Sequence, residues 1–341
     1  MDTSVLDMLA TLAPDLMEEM ELRALVLERV AALEPIGRRA LAVRLHLAER
    51  EVRSAADALR SAGILTQSAA GMELTPAGQN LVEASRVISR GRRSLSSMEL
   101  ALSRRLGVER VCVVRGDSDR DETVIDEIGR AAARQLRFLL QDAQVLAVSG
   151  GRTVAAAAQA ITAAAPMDVT VVPAGGGTGG GARTQANTLA EEIGARLGGS
   201  CRYLYLPEGL SSSAAEELSA LPQVREALEL LAGADVLLYG ADDAQESAQR
   251  SGMNLIQRDM LRQRGAAGEA LGFYFDRQGC VVGGWSAGVR IQTVGHASRA
   301  ALLAGGGSKA EAIVSVCRHH PHRLLVTDEG AAREILDLLR V

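Results

Sequence analysis

A chain of 341 residues, 47% of them apolar, has enough length and core-forming side chains for more than one packed domain, which excludes a disordered or fibrous protein. A formal net charge of -5 excludes coating of nucleic acid through bulk charge, so any DNA reader must be a minority domain with a local basic patch. The four cysteines (Cys112, Cys201, Cys280 and Cys317) form no C-x-x-C pair, no charged-then-apolar leader opens the chain, and no apolar run reaches the roughly eighteen residues of a membrane span. A soluble cytoplasmic protein with reduced thiols and no membrane partner is expected.

Leu22, Leu25, Val26, Val30 and Leu33 recur at helical spacing, and Glu34-Pro35-Ile36-Gly37 closes that helix. Two short helices follow. The first, Arg38 to Leu45, buries Leu41, Ala42 and Leu45. After a turn at His46-Leu47, the second, Ala48 to Arg60, buries Val52, Ala56 and Leu59 and turns Arg50, Arg53, Ser54 and Asp57 outward. An apolar back and a polar front suit a helix lying in the major groove. Strands at Ile64–Thr66 and 71–74 would form a wing, and Thr75-Pro76 reads as an N-cap with proline at the first helical position. Between Ile36 and Leu65 six arginines face three acids, an excess opposite in sign to the whole chain. Arg38, Arg39, Arg50, Arg53 and Ser54 are the expected contacts to operator DNA.

A connecting helix runs to about residue 106. Leu81, Ile88, Leu95 and Leu102 fall seven apart, with Ala84, Gly91 and Met98 three residues later, so either a dimer seam or a lone amphipathic linker fits. Arg86, Arg90, Arg92 and Arg93 offer phosphate contacts or a solvated face. The expected division is a DNA-binding domain over 1–90 with this helix, then an α/β effector and oligomerisation domain over 107–341.

From Val111 onward β-branched runs alternate with alanine-rich helices. Val111–Val114, Val145–Val148, Val169–Val172, Tyr203–Leu206, Val236–Tyr239 and Leu324–Thr327 predict a parallel sheet covered on both faces. Ligands of open α/β sheets lie beyond the carboxyl ends of the strands. Here those ends carry Ser149-Gly-Gly-Arg-Thr153, Pro173-Ala-Gly-Gly-Gly177, Pro207-Glu-Gly209, Gly240 and Asp328-Glu-Gly330. The two glycine turns open helices, and backbone amides at such turns favour phosphate. Gly175, Gly177 and Gly180 also fit G-x-G-x-x-G, but the next strand ends too late for the acidic residue of a dinucleotide site, so no nicotinamide cofactor is expected. His319-His-Pro-His322 lacks metal-ligand spacing and predicts a surface loop, so no metal is expected.

Glu34-Pro-Ile-Gly-Arg-Arg39, Arg115-Gly-Asp-Ser-Asp119, Gln185-Ala-Asn187, Gly272-Phe-Tyr-Phe275, Gly305-Gly-Gly-Ser-Lys-Ala-Glu-Ala312 and Val326-Thr-Asp-Glu-Gly-Ala-Ala332 together resemble the SorC family of sugar-sensing bacterial transcription factors. The resemblance implies a winged helix-turn-helix and a Rossmann-like effector domain related to sugar-phosphate isomerases. It also implies homodimers and homotetramers whose assembly, and hence repression of central carbon and glycolytic genes, is weakened by a phosphorylated sugar, with fructose 1,6-bisphosphate favoured. Carried over by position, Gly150, Gly151 and Thr153 would hold one phosphate and Gly175 and Gly176 would lie beside a second. Gln185, Arg250, Glu269 and Lys309 match further ligand contacts.

The resembled sequences carry Gly-Gly-Thr-Thr where this chain has Gly150-Gly-Arg-Thr153, and Pro-Ala-Arg-Gly-Gly where it has Pro173-Ala-Gly-Gly-Gly177. Arg152 is expected to reach across and replace the guanidinium missing at Gly175; if it points elsewhere, a monophosphate is the expected effector. A sugar-phosphate isomerase or deaminase using Glu269 or Asp328 as base is the alternative, and a protein-binding adaptor is a third reading.

Overall fold

The computed structural model describes residues 12–45, 47–140, 144–162, 166–176, 181–207, 212–284 and 299–340. The chain divides into two compact units, Met1–Ser97 and Met98–Val341.

In the first unit, α1 (Pro14–Leu33), α2 (Arg38–Leu45) and α3 (Glu49–Ser61) precede a hairpin of β1 (Leu65–Gln67) and β2 (Met72–Leu74). Val26, Val30, Leu41, Val52 and Leu59 form its core, each worth about 1.5–3 kcal/mol on burial. Glu49 and Glu51 in the first turn of α3 and Arg60 in its last complement the helix dipole. Ile36 adds a bridge to Met72, and this close approach requires glycine at 71: φ is +146° and a Cβ would lie 2.7 Å from the Ile36 amide nitrogen. Thr75 caps α4 (Pro76–Leu106) by accepting from the Gly78 amide at 3.1 Å while donating to the Gly63 carbonyl at 2.7 Å. The helix-turn-helix and its wing are thus present, each strand beginning one residue later than the sequence pattern predicts. His46, expected in the turn, lies outside the described residues. Of the heptad positions on α4, Leu102 is fully buried and so is withdrawn from any intermolecular seam.

The second unit is built on a seven-stranded parallel sheet ordered β3-β13-β12-β7-β4-β5-β6. These strands are Arg110–Val114 (β3), Gln144–Val148 (β4), Val169–Pro173 (β5), Ser200–Cys201 (β6), Val236–Gly240 (β7), Arg299–Leu303 (β12) and Leu324–Asp328 (β13). Helices α5 (Val124–Leu139), α6 (Arg152–Ala160) and α7 (Ala186–Leu197) follow β3, β4 and β5. Two helices, α8 (Ser212–Ser219) and α9 (Pro222–Ala232), lead to β7. The apolar runs of β4, β5 and β7 sit in the middle of the core with Leu146, Val148, Val171 and Leu238, as strands buried on both faces require. Chain order reverses between β4 and β7, which makes the crevice at their carboxyl ends the topological switch point.

Three features differ from expectation. Tyr203–Leu206 is not a strand. The ladder to Thr170 and Val171 is made by Ser200 and Cys201, while the Asn187 side chain pairs with the Leu204 backbone in both directions, at 2.9 and 3.0 Å. Leu204 and Leu206 are buried instead against Val224 and Ala227. Second, β12 lies between β7 and β13, although its Arg299-Ala-Ala-Leu-Leu sequence carries no β-branched residue. Third, β8 (Asp242–Asp243), β9 (Ala266–Ala270), β10 (Phe273–Asp276) and β11 (Val281–Gly284) form a separate antiparallel sheet ordered β11-β10-β9-β8. Between β8 and β9 lie α10 (Ala244–Arg250) and α11 (Leu255–Gln263), and α12 (Ala310–His319) and α13 (Glu329–Leu338) complete the unit.

His320 and His322, which follow α12, are not on a surface loop. His320 and His322 are buried, their rings stacked at 4.3 Å, and both Nε2 atoms face the hydroxyl of fully buried Tyr239, at 3.4 and 2.5 Å. Burial pushes the His322 imidazole down to about 3 and the nearby Cys317 thiol up to about 12. Among the described residues no group of His, Cys, Asp and Glu is arranged to hold a metal ion.

Candidate functional site

At the switch point β4 ends in Ser149-Gly150-Gly151, and the amide of Ser149 donates to the Leu238 carbonyl of β7 at 2.9 Å. A Cβ at Gly150 would lie 2.6 Å from the Thr184 carbonyl oxygen, to which Gly151 donates its amide at 3.0 Å. Gly151 has φ +120°, a value that side-chain-bearing residues rarely adopt. Glycine at both positions therefore lets the turn lie against Thr184-Gln185-Ala186, which places Gln185 beside it. Intrahelical bonding in α6 begins when Ala155 donates to Gly151 at 3.0 Å, so the preceding amides open the helix with its positive end at the crevice. Thr153 is buried, and its hydroxyl donates to the Leu303 carbonyl at 2.8 Å, tying α6 to β12. The adjacent turn after β5 is joined to the first by Ala174 donating to the Val148 carbonyl at 2.7 Å; Gly175 is half-buried and Gly176 buried. Gly177 and Gly180 lie outside the described residues, as do Glu208 and Gly209.

Arg152 does not turn toward Gly175. Its guanidinium pairs with Glu122 at 3.1 Å, on the loop out of β3 at the opposite edge of the sheet from β5 and β6. The two side chains are 62% and 82% exposed, so the pair is worth no more than about 1 kcal/mol.

Two residues beyond Gly240, Asp242 gathers two of the expected ligand contacts. Its Oδ1 lies 2.7 Å from Lys309 Nζ and its Oδ2 2.6 Å from an Arg250 guanidinium nitrogen. Directly across the β8–β9 ladder stands Glu269, whose oxygens accept from the Ser247 hydroxyl and the Gly272 amide, each at 2.8 Å. Burial pushes the Glu269 carboxyl above the usual range, and the neighbouring Asp242 charge adds to that shift against the two hydrogen bonds and Arg250. Gly268 permits the arrangement: a Cβ there would lie 2.7 Å from Ala312 Cα and Ser315 Oγ, so only glycine lets α12 press on β9 and bring Lys309 to Asp242. Arg250, Glu269 and Lys309, some sixty residues apart in sequence, are thus brought together, and Asp242 is the member that sequence reasoning missed. The signal was present, since an acid two residues past a strand end at the switch point lies where ligands bind.

Asp328 behaves differently from the free base considered above. Its Oδ2 accepts from the amides of Ser118 and Gly306 at 2.9 and 2.8 Å and its Oδ1 from Ala331 at 2.8 Å. It is fully buried and fastens the loops that follow β3 and β12 to the start of α13.

On α3 the expected outward face is observed: Arg50, Arg53 and Ser54 are exposed opposite buried Val52, Ala55, Ala56 and Leu59. Glu49 links two arginines, Arg39 at 3.1 Å and Arg53 at 3.0 Å, and hydrogen bonds from both hold its carboxyl below the usual range. Arg38 lies 3.9 Å from Asp57, which also pairs with Arg60 at 3.1 Å. Arg50 has no ion-pair partner among the described residues. The side chains of Arg86, Arg90, Arg92 and Arg93 lie outside the described set.

Comparison with known proteins decides what this two-unit chain is. Residues 20–88 match the CggR N-terminal DNA binding domain, and residues 93–337 match the family described as "Putative sugar-binding domain". The Central glycolytic genes regulator of Priestia megaterium is 32% identical over 98% of this chain and 98% of its own length, and that of Bacillus subtilis 33% over 95% and 96%. The chain belongs to the family of central glycolytic genes regulators. The SorC kinship of these regulators is seen in a solved structure from Enterococcus faecalis, described as a "putative SorC family transcriptional regulator", which is 32% identical with a TM-score of 0.66 and covers 70% of this chain and 99% of that one. The full-length Sorbitol Operon Regulator SorC from Klebsiella pneumoniae shares the fold, with a TM-score of 0.68 at 18% identity over 91% of this chain and 96% of its own. A DNA-binding domain thus precedes a sugar-binding domain in this chain.

Proposed function

We propose that the protein represses central glycolytic genes by binding operator DNA as a dimer or tetramer, and that a phosphorylated sugar, fructose 1,6-bisphosphate or, as the Arg152–Glu122 pair favours, a sugar monophosphate, relieves repression by altering that assembly. Its effector site comprises Gly150, Gly151, Arg152, Thr153, Gly175, Gly176, Gln185, Arg250, Glu269 and Lys309. Arg38, Arg39, Arg50, Arg53 and Ser54 face the operator. The observation that carries this reading is that a glycine turn opening a helix, and a lysine and an arginine gathered on a single carboxylate, follow the carboxyl ends of the adjacent central strands β4 and β7. Only a ligand that binds one assembly state more tightly than the other shifts the balance between them.

The local chemistry supports binding over turnover. Asp328 is fully buried with three backbone amides on its two oxygens, which fits a structural clasp and not a base at a substrate. The relatives are named as regulators, which agrees. Arg152 lies with Glu122, so its contribution to a second phosphate requires that weak pair to open. The test is fluorescence anisotropy on operator DNA, with sedimentation in parallel, while fructose 1,6-bisphosphate or fructose 6-phosphate is titrated. Loss of DNA affinity with a change of mass at low bisphosphate concentration is expected. A response to the monophosphate alone would move the effector to that class, and no response to either would reject the sugar-phosphate assignment.

A further inference from the structure

We propose that Asp242 is an internal anion that holds the effector's place on Arg250 and Lys309, and that a phosphorylated ligand binds by displacing it. The inference rests on the assignment of those two cations to effector recognition made above. Each oxygen of the Asp242 carboxylate serves one cation, at 2.7 Å to Lys309 and 2.6 Å to Arg250, which is how two oxygens of a phosphate would be shared between them. Lys309 is only 26% exposed and Asp242 30%, so this contact is partly desolvated and holds more strongly than a pair in open water.

Charge balance gives the consequence. With Asp242 and Glu269 both ionised, the two carboxylates cancel Arg250 and Lys309, and the cluster presents no net attraction to an anion. A ligand must therefore outcompete a carboxylate that is covalently fixed at the site and available at high effective concentration. Inorganic phosphate, with no sugar to add contacts, is rejected, whereas a sugar phosphate supplies the remaining binding energy through its hydroxyls and the glycine turns. Once displaced, Asp242 remains beside Glu269 across the β8–β9 ladder. Asp242 is in this sense a specificity residue: it sets the threshold concentration of effector and excludes the free anion.

The experiment is calorimetry on the full-length protein with fructose 1,6-bisphosphate, fructose 6-phosphate and inorganic phosphate, at low and high salt, comparing wild type with Asp242→Asn, Asp242→Ser and Asp242→Glu. The neutral variants are expected to bind both sugar phosphates about tenfold more tightly or better, corresponding to about 1.4 kcal/mol, and to gain measurable affinity for inorganic phosphate. Asp242→Glu, which keeps the charge, is expected to show neither gain. If the neutral variants, verified as folded by circular dichroism, bind equally or more weakly while the wild type binds sugar phosphate, the displacement is wrong and Asp242 orients the ligand or the cations instead. If wild type binds sugar phosphate but Lys309→Met leaves that affinity unchanged, the site assignment itself fails and takes this inference with it. Using both Asn and Ser guards against one misfolded variant.

Discussion

Glu49 in the DNA-binding unit and Asp242 in the sugar-binding unit each hold two cations on one carboxylate, yet their surroundings are unlike. Arg39 and Arg53 are 89% and 56% exposed, so the Glu49 pairs are screened by water and salt and cost little to break. Asp242 shares its ladder position with a buried glutamate, and its lysine partner is mostly covered. The same stoichiometry therefore gives a cheap reservoir of cations for any phosphate backbone in one unit and a selective threshold in the other.

The largest effect to control in testing this contrast comes from His322. Its imidazole is neutral in the folded state down to about pH 3, whereas the unfolded chain protonates it near the ordinary histidine value of 6.5. The unfolded state thus binds the extra proton between these limits, and stability falls as pH drops through that window, by on the order of a few kcal/mol. His322→Gln, which keeps an acceptor for Tyr239, should flatten the acid limb in urea titrations; an unchanged limb would place the proton elsewhere. The carboxylates titrate in opposite senses. Glu269, raised by burial, contributes stability that is complete below its unfolded value of 4.5 and lost as pH rises through its folded value. Glu49, lowered by its arginines, contributes stability present above 4.5 and lost as pH falls. Glu269→Gln should therefore remove the loss of stability that sets in as pH rises above 4.5, and Glu49→Gln should not.

Next in size, Lys309→Met should weaken fructose 1,6-bisphosphate about a hundredfold, from loss of a charge-assisted contact of roughly 1.5–3 kcal/mol, without changing operator affinity in the absence of sugar. A loss below about threefold would remove Lys309 from the phosphate site. Arg53→Ala and Arg50→Ala should each lower operator affinity by about 1–3 kcal/mol if they reach base edges, or reduce the salt slope by about one if they touch phosphate. No change in either quantity would take that residue off the interface. Smallest of all, Glu49→Gln should raise operator affinity a few-fold at low salt, and the gain should vanish at high salt. A gain that survived high salt would erase the contrast between the two carboxylates.

The helices of the DNA-binding unit and strands β3, β4, β5, β7 and β13 were legible because their signals are local: period-3.6 apolar faces and β-branched runs closed by glycine. Strand β12 was hidden because Ala300 and Ala301 read as helix formers, and only its neighbours β7 and β13 supply the ladder. The buried histidines were hidden for a related reason. His-Pro-His reads as polar turn, but Tyr239, some eighty residues earlier, offers the buried hydroxyl that faces both rings. The expected ligand contacts Arg250, Glu269 and Lys309 were legible through family resemblance alone, and what joins them, Asp242 and the glycine contact at Gly268, emerges only when β8, β9 and α12 are packed. Arg152 shows the reverse failure, since residue type suggested a reach toward Gly175 and the Glu122 pair claims the guanidinium instead.

The strand order also dictates how the domain is made. Strand β3 is among the first elements of the sugar-binding unit to leave the ribosome, yet its ladder partner is β13, more than two hundred residues later. β12 and β13, which separate β3 from β7, are likewise the last two strands to be synthesised. A nascent chain therefore carries an unpaired, apolar edge until β12 and β13 have been made, and closure of the sheet waits on them. Asp328 ends β13 and fastens the loops after β3 and β12 in the same event, so a chain truncated before Leu324 loses an edge and a clasp together.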